Sequence, residues 1–364
     1  MRGISLLSGA MLGALAGGAA SAQAVNVPPR FVSQTAPVSG SGFYIWADGT
    51  YQSVGLPSYD LGWRRYTPAP TTDRGPRQTH EPRADGFGSA VAIGYILPHG
   101  TIAFGERARI ELGGKYVSGT ATNAATDPAT GGIALQYVGG IIPVVVPGLA
   151  LQNCSNCTVS STLSSEVAAW QLHAKAATDV KALGVTFTPS VALFGGGARN
   201  AQSFSQTMGN PAVTYSYVAN SSVRWTDWGG RAGLDAAADL ADWLSMGVGG
   251  TLGWARRSAN MSADDAAVFP FAVGTYLQGS TASASATTTS LVANAETNLL
   301  IRMRSNIAMK LFAGWNYDSH VPGISAPRFW IPFPVGEQQT PSSLKFEAES
   351  SYYAGASLAV PFSP

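Results

Sequence analysis

Apolar and polar residues alternate one for one along most of this chain. Lys310-Leu311-Phe312-Ala313-Gly314-Trp315 is one such stretch, and Val248 to Trp254 is another. The longest charged example is Arg107-Ala108-Arg109-Ile110-Glu111-Leu112-Gly113-Gly114-Lys115-Tyr116. Successive side chains of a strand point to opposite faces. One face of this segment therefore carries Ala108, Ile110, Leu112, Gly114 and Tyr116, and the other carries Arg107, Arg109, Glu111 and Lys115. A soluble sheet buries its apolar face under a second layer, yet no segment with helical period is present to supply one. Lipid against the apolar face, as in a transmembrane barrel, satisfies the pattern instead.

Followed along the chain, the pattern predicts ten strands: an all-β, antiparallel, up-and-down barrel over residues 41–362. The first runs from Gly42 to Ser53, the second from Phe87 to Leu97, and the third from near Ile102 to Tyr116. Glu106 breaks the outward phase of the third, through a bulge at Gly105 or because the membrane begins just after it. Strands four and five centre on Trp170–Lys175 and Val185–Leu193, six and seven on Trp228–Ala236 and Leu244–Trp254. Eight and nine cover Leu291–Ile301 and Ile307–Tyr317, and ten covers Leu344–Phe362. Long connections are read at 55–85, 119–160, 195–221, 258–286 and 318–343, alternating with short turns. That alternation is expected when turns face the periplasm and loops face outside. Within the second loop, Ile133 to Val146 is apolar around Gly139-Gly140, a hairpin signal. It reads as a strand extension or a surface hairpin, and if it crossed the membrane the count would be twelve.

Composition narrows the class further. Charged residues make up 12%, about half the usual share. The net charge of +1, without a basic run, excludes a nucleic-acid partner. Residues 1–24 read as a secretory signal peptide: Arg2, then an Ala/Gly/Leu-rich core, then small-residue cleavage sites at Ala20-Ser21-Ala22 and Ala22-Gln23-Ala24. Residues 25–40 read as a periplasmic lead-in. Cys154 and Cys157, the two cysteines, are spaced for a local loop disulfide in an exported chain. No cofactor or metal ligand set is legible.

The last strand, Ser350-Ser351-Tyr352-Tyr353-Ala354-Gly355-Ala356-Ser357-Leu358-Ala359-Val360-Pro361-Phe362, alternates and carries a near-terminal Phe. In this the chain resembles Gram-negative outer-membrane β-barrel proteins of the porin-like type. It departs from them in Pro361 and in Ser363-Pro364 after the Phe. The resemblance implies an outer-membrane location. It also implies outer-membrane lipid, lipopolysaccharide and the barrel-assembly machinery as partners, with small solutes or surface ligands beside them.

Strand phase directs Asp48, Arg107, Arg109, Glu111, Lys115, His173, Lys175, Arg231, Asp235, Glu296, Lys310, Lys345, Glu347 and Glu349 into the lumen. Mixed signs there fit a narrow wet path or a paired network that plugs the barrel. Phe43, Phe104, Tyr116, Trp170, Trp228, Trp254, Trp315, Tyr352 and Phe362 fall near strand ends as aromatic girdles. Trp63-Arg64-Arg65-Tyr66 reads as a rim anchor or a headgroup or sugar contact. Chemistry is otherwise thin. Asp318 and His320 share the fifth loop, as in a protease of the omptin kind, but that kind needs a facing carboxylate pair, for which Asp264-Asp265 is a loose match. The functions left open are passive solute passage or a structural role, binding through the long loops, and surface hydrolysis.

Overall fold

The computed structural model describes residues 42–62, 77–98, 106–129, 157–210, 213–271, 274–303, 307–326, 328–330 and 338–362. Its strands are β1 (Gly42–Gly55), β2 (Tyr59–Gly62), β3 (Arg77–His80), β4 (Arg83–Ile96), β5 (Arg107–Ala129), β6 (Cys157–Ala182) and β7 (Val185–Asn210). They continue as β8 (Val213–Ala241), β9 (Leu244–Phe271), β10 (Gly274–Arg302), β11 (Ala308–Ser325), β12 (Arg328–Trp330), β13 (Gln338–Thr340) and β14 (Ser343–Phe362). Ten of them close a ring in the order β1-β14-β11-β10-β9-β8-β7-β6-β5-β4, and β2-β3 and β12-β13 form two-stranded hairpins. Every ring pairing is antiparallel, and β1 closes on β14 with Phe43 opposite Phe362. The ring therefore has ten strands and not twelve. Residues 133–146, the leader, Trp63–Tyr66, Phe104 and Cys154 lie outside the described residues.

Between β6 and β7 the chain reverses in two residues, Leu183 at φ 53° and Gly184 at φ 77°. Positive φ at both central positions matches the right-handed twist of the flanking strands. Glu106 precedes β5 and pairs with Lys181 at 3.4 Å on the same rim. The phase break at Glu106 thus falls at the start of the described strand; Gly105, where a bulge was the other reading, lies outside the described residues.

The outer wall carries a continuous apolar band. Leu112 is 57% exposed, Leu172 61% and Leu193 72%, with Val91, Ile110, Leu234, Val248 and Leu252 alongside. Water tolerates no such patch on a monomer, whereas hydrocarbon does. Trp243 and Trp254 stand outward at the two edges of the band. With about 3.3 Å per residue and a tilt near 40°, the rise between them is about 28 Å, close to a bilayer core.

Above the upper edge the sequence reading needs correction. Segments read as loops at 195–221 and 258–286 are ladder throughout their described residues. Likewise β5 and β6 run well into the predicted second loop. The cause is an inversion of polarity at constant phase. Leu163, Val167, Phe204, Tyr217, Val223 and Met261 point inward and are buried, while the alternate positions turn to Ser, Thr and Asn. Membrane strands are apolar outside. These extensions are apolar inside, because water surrounds them and a core fills them. The strands rise about 40 Å past Trp254 to the end of β9.

The braced lumen and the inserted first loop

Three layers fill the barrel. The lowest is ionic. Arg109 Nη1 donates to Asp179 Oδ1 at 2.9 Å, and the Thr188 hydroxyl donates to the same oxygen at 2.8 Å. Glu111 accepts from the Tyr44 hydroxyl at 3.0 Å and lies 3.5 Å from His173 Nε2. Across the lumen, Lys310 Nζ donates to Glu296 Oε1 at 2.5 Å, and the Tyr353 hydroxyl donates to Glu296 Oε2 at 3.0 Å. Asn294 Nδ2 extends this chain to the Tyr353 hydroxyl oxygen at 2.7 Å and to Asn316 Oδ1 at 2.9 Å. Lys175 and Asp235 are buried in the same layer. Burying one charge alone is prohibitive, so charges of opposite sign share the space.

The second layer is a single knot at the height of the upper aromatics. Arg257 is fully buried. Its Nε and Nη2 donate to the two oxygens of Asp227, each at 2.8 Å. Nη2 and Nη1 also donate to Asp318 at 2.7 and 3.1 Å, and Nη1 donates to the His320 carbonyl. Ser290 adds its hydroxyl to Asp318 at 2.5 Å. A guanidinium gripped in fork geometry by two carboxylates is among the stronger polar contacts available to a protein. Four ladder positions below it, Arg231 lies 4.3 Å over the Phe194 ring.

The third layer is apolar and includes part of the first loop. Far from running over the surface, that loop sends Leu56 and Tyr59 into the core formed by Val117, Leu163, Phe204, Trp225 and Met261. The Tyr59 ring lies 4.9 Å from that of Phe204, tilted by 36°, and His80 at the end of β3 is bonded to Ser161 at 2.9 Å. Burial lowers the His80 pKa and raises that of Tyr59, so both sit there neutral. At the rim a latch ties the loop to β14. Glu347 Oε2 accepts from the Ser58 amide at 2.8 Å, and Lys345 Nζ donates to Ser58 Oγ at 3.0 Å and to Glu347 Oε1 at 2.7 Å. Beside it, burial and then the neighbouring Glu347 push Glu349 up to about 7.

Of the residues directed inward by strand phase, Asp48, Arg109, Glu111, His173, Lys175, Arg231, Asp235, Glu296 and Lys310 are buried. Arg107, Lys115, Lys345, Glu347 and Glu349 are half-buried nearer the ends. Outward at the upper edge stand Tyr116, Trp170, Trp228, Trp254 and Tyr352, with Trp315 half-buried. Tyr116 faces Trp170 and Trp315 faces Tyr352 across the ladder. Phe43 lies at the lower edge, 4.7 Å from Tyr95.

The sequence reading missed Asp179, Asp227 and Arg257, and it placed Asp318 in a loop. All four extend a phase already identified: Asp179 continues His173 and Lys175, Asp227 continues Arg231 and Asp235, and Asp318 continues Lys310. Asp318 is in β11, where a register shift falls between it and Val321. Both its carboxylate oxygens accept from Arg257, while His320 Nδ1 faces Ser319 Oγ at 2.7 Å.

No protein-family model and no curated protein matches this sequence. Solved structures do. The outer membrane protease OmpT from Escherichia coli aligns over 89% of this chain and 99% of its own, at 11% identity and TM-score 0.38. The toluene transporter TodX of P. putida aligns over 90% and 91%, at 11% identity and TM-score 0.22. The translocator domain of the autotransporter NalP from Neisseria meningitidis aligns over 98% and 96%, at 10% identity and TM-score 0.23. A protease, a transporter and a translocator share no activity that could pass to this chain.

Proposed function

We propose that this protein is a passive outer-membrane barrel of low conductance, a structural and porin-like wall element whose mixed-charge interior lets through only small polar species. The observation that carries this reading is the buried interior. Paired charges span it from Arg109 to Lys310, Arg257 knots it, and the first loop enters it from outside. Ten strands enclose little more than the width that side chains fill. The outer membrane as location is supported by the apolar band, the girdles and the alternating terminal strand. A hydrolase reading finds little support, since Asp318 is spent on Arg257 and not on the His320 ring. The tall polar wall above the band favours one second reading, a surface that binds external ligands.

Planar-bilayer recording of the refolded chain tests the first reading. Small, infrequent steps are expected, and deleting residues 59–80 should raise conductance several-fold. A large, permanently open pore in the intact chain would refute it.

A further inference from the structure

The seam between β10 and β11 closes only partway. The two strands pair from Arg302–Ala308 up to Val292–Asp318. There β11 shifts register between Asp318 and Val321 and goes on with β14 alone. The Arg257 knot draws it off: Arg257, on β9, holds Asp318 and the His320 carbonyl, and Val321 and Ile324 then turn into the core. At the fork the Leu291 amide donates to Ser319 Oγ at 2.9 Å, a side chain standing in for the lost strand. Above it, among the described residues, Thr281 to Thr289 are laddered to β9 and to no other strand. Leu291 lies opposite Trp254 at the belt, so this edge stands from about 5 to about 25 Å above it, in water.

Every second residue of such an edge directs its amide and carbonyl away from the sheet, and the row is a template for another strand. Sheets ordinarily blunt it with charge, proline or a bulge. The opposite margin of the raised sheet does so: beyond the Asp85–Thr120 pair, β5 runs past β4 along Ala121–Ala129 and carries Asp127-Pro128. The β10 margin does not. No charged residue and no proline occurs from Gly274 to Leu291, and the pairing with β9 runs there without a register shift. Its two faces differ. The outward row, every second residue from Thr281 to Thr289, is hydroxyl-bearing and exposed, while Ala282 and Ala284 lie half-buried against the core.

We infer that the upper edge of β10 is a strand-addition site for an extended, uncharged segment of a second protein, about as long as Thr281–Thr289. Backbone amides and carbonyls supply the attraction. The alanine row leaves room on the inner side for β-branched apolar residues at alternate positions, which would cover the flank of the core. The hydroxyl row matches threonine or serine at the positions between. A charged segment finds no opposite charge along this edge. A second copy does not fit: upright in the same membrane it offers β10 in the parallel sense, and the two barrel walls below hold the edges apart. The site is independent of whether the lumen conducts.

The test uses the full chain refolded in detergent, with a dilute synthetic peptide of alternating Val and Thr, matched in length to Thr281–Thr289 and carrying an ethylene-glycol tail for solubility. Its control is the same peptide N-methylated throughout, which keeps the side chains and loses every amide donor. Binding is read by fluorescence anisotropy and by amide hydrogen exchange. The peptide should slow exchange at alternate residues of Thr281–Thr289 at least tenfold. The N-methylated form should bind at least tenfold more weakly, and so should the parent peptide to Ser285→Lys, an outward change that sets a charge on the edge. Heat-modifiable gel mobility checks that this variant folds; if it does not, the comparison of the two peptides decides alone. No binding, equal binding of the two peptides, or undiminished binding to the folded variant overturns the assignment. Slow exchange along Thr281–Thr289 on both sets of alternate residues before any peptide is added would mean an edge already filled, and overturns it too.

Discussion

Glycine at single positions shows how a wall of small residues sets a register. Inward aromatic rings lie across a glycine on the neighbouring strand: Tyr44 opposite Gly94, Phe194 opposite Gly229, Phe312 opposite Gly355 and Tyr353 opposite Gly314. A Cβ at Gly94 would fall inside the Tyr44 ring, and one at Gly355 would come within 2.8 Å of Phe312. The rings thus key each strand to its neighbour, since sliding by one residue would drive ring into side chain. Gly94→Val should therefore cost several kcal/mol, while Gly114→Ala on the lipid side should cost less than about 1 kcal/mol; urea unfolding in lipid vesicles checks both. At the β6–β7 turn, Leu183 holds φ 53° with its side chain fully exposed. Replacement by Gly or Asn should stabilise by about 0.5–1 kcal/mol, because each adopts that conformation with less strain. An unchanged or lower midpoint in the same assay would contradict the strain. The inward side of strands such as Arg107–Tyr116 was legible because charge and grease alternated. These aromatic–glycine keys were not, because nothing local says which glycine a distant tyrosine will cover.

Each strand of β5 to β10 is one uninterrupted alternation with a change of solvent partway up. The lower half was legible as strand and the upper half was not, for a physical reason: a Ser/Thr-rich outer face with alanines inside, as in Thr281–Ser290, has the composition of a loop. Parity was the signal that survived the change, and it would have placed Asp227, Arg257 and Asp318 inside. The first loop gave no sign that it entered the barrel, because Leu56 and Tyr59 find partners only through tertiary packing. Removing Arg257 as Arg257→Ala leaves Asp227 and Asp318 buried without their shared cation, and a loss of about 3–5 kcal/mol is expected. Asp227→Asn/Asp318→Asn should recover part of that in the same unfolding measurement. The rim latch has a sign in pH. Glu349 is raised from 4.5 to about 7 in the fold. Its contribution is complete below about 4.5 and is lost as pH rises through about 7, because ionising it leaves a charge in a buried place and beside Glu347. Thermal unfolding followed between pH 4 and 8 should show this decline, and Glu349→Gln should flatten it.

As a whole, the molecule is a hollow cylinder that changes its filling with its surroundings: ionic where lipid lies outside, apolar where water does. Charge placed on the wrong side of the lower wall is the sharpest test of that view. Leu112→Arg should hinder insertion by about 2–4 kcal/mol near the midplane, whereas Leu163→Arg, inside the upper half, should spare insertion and destabilise the outer core. Protease protection in vesicles separates the two outcomes. The seam between β1 and β14 carries a consequence for biogenesis. The first and last strands of the barrel are each other's neighbours along twelve consecutive pairs, from Phe43–Phe362 to Val54–Ser351. Until β14 has reached β1, the assembling sheet holds two open edges, each a row of unsatisfied amides and carbonyls that will zip onto any strand nearby. Sealing is the final event of assembly and cannot proceed by halves. A chain truncated before residue 343 should clump and not settle for a smaller cylinder.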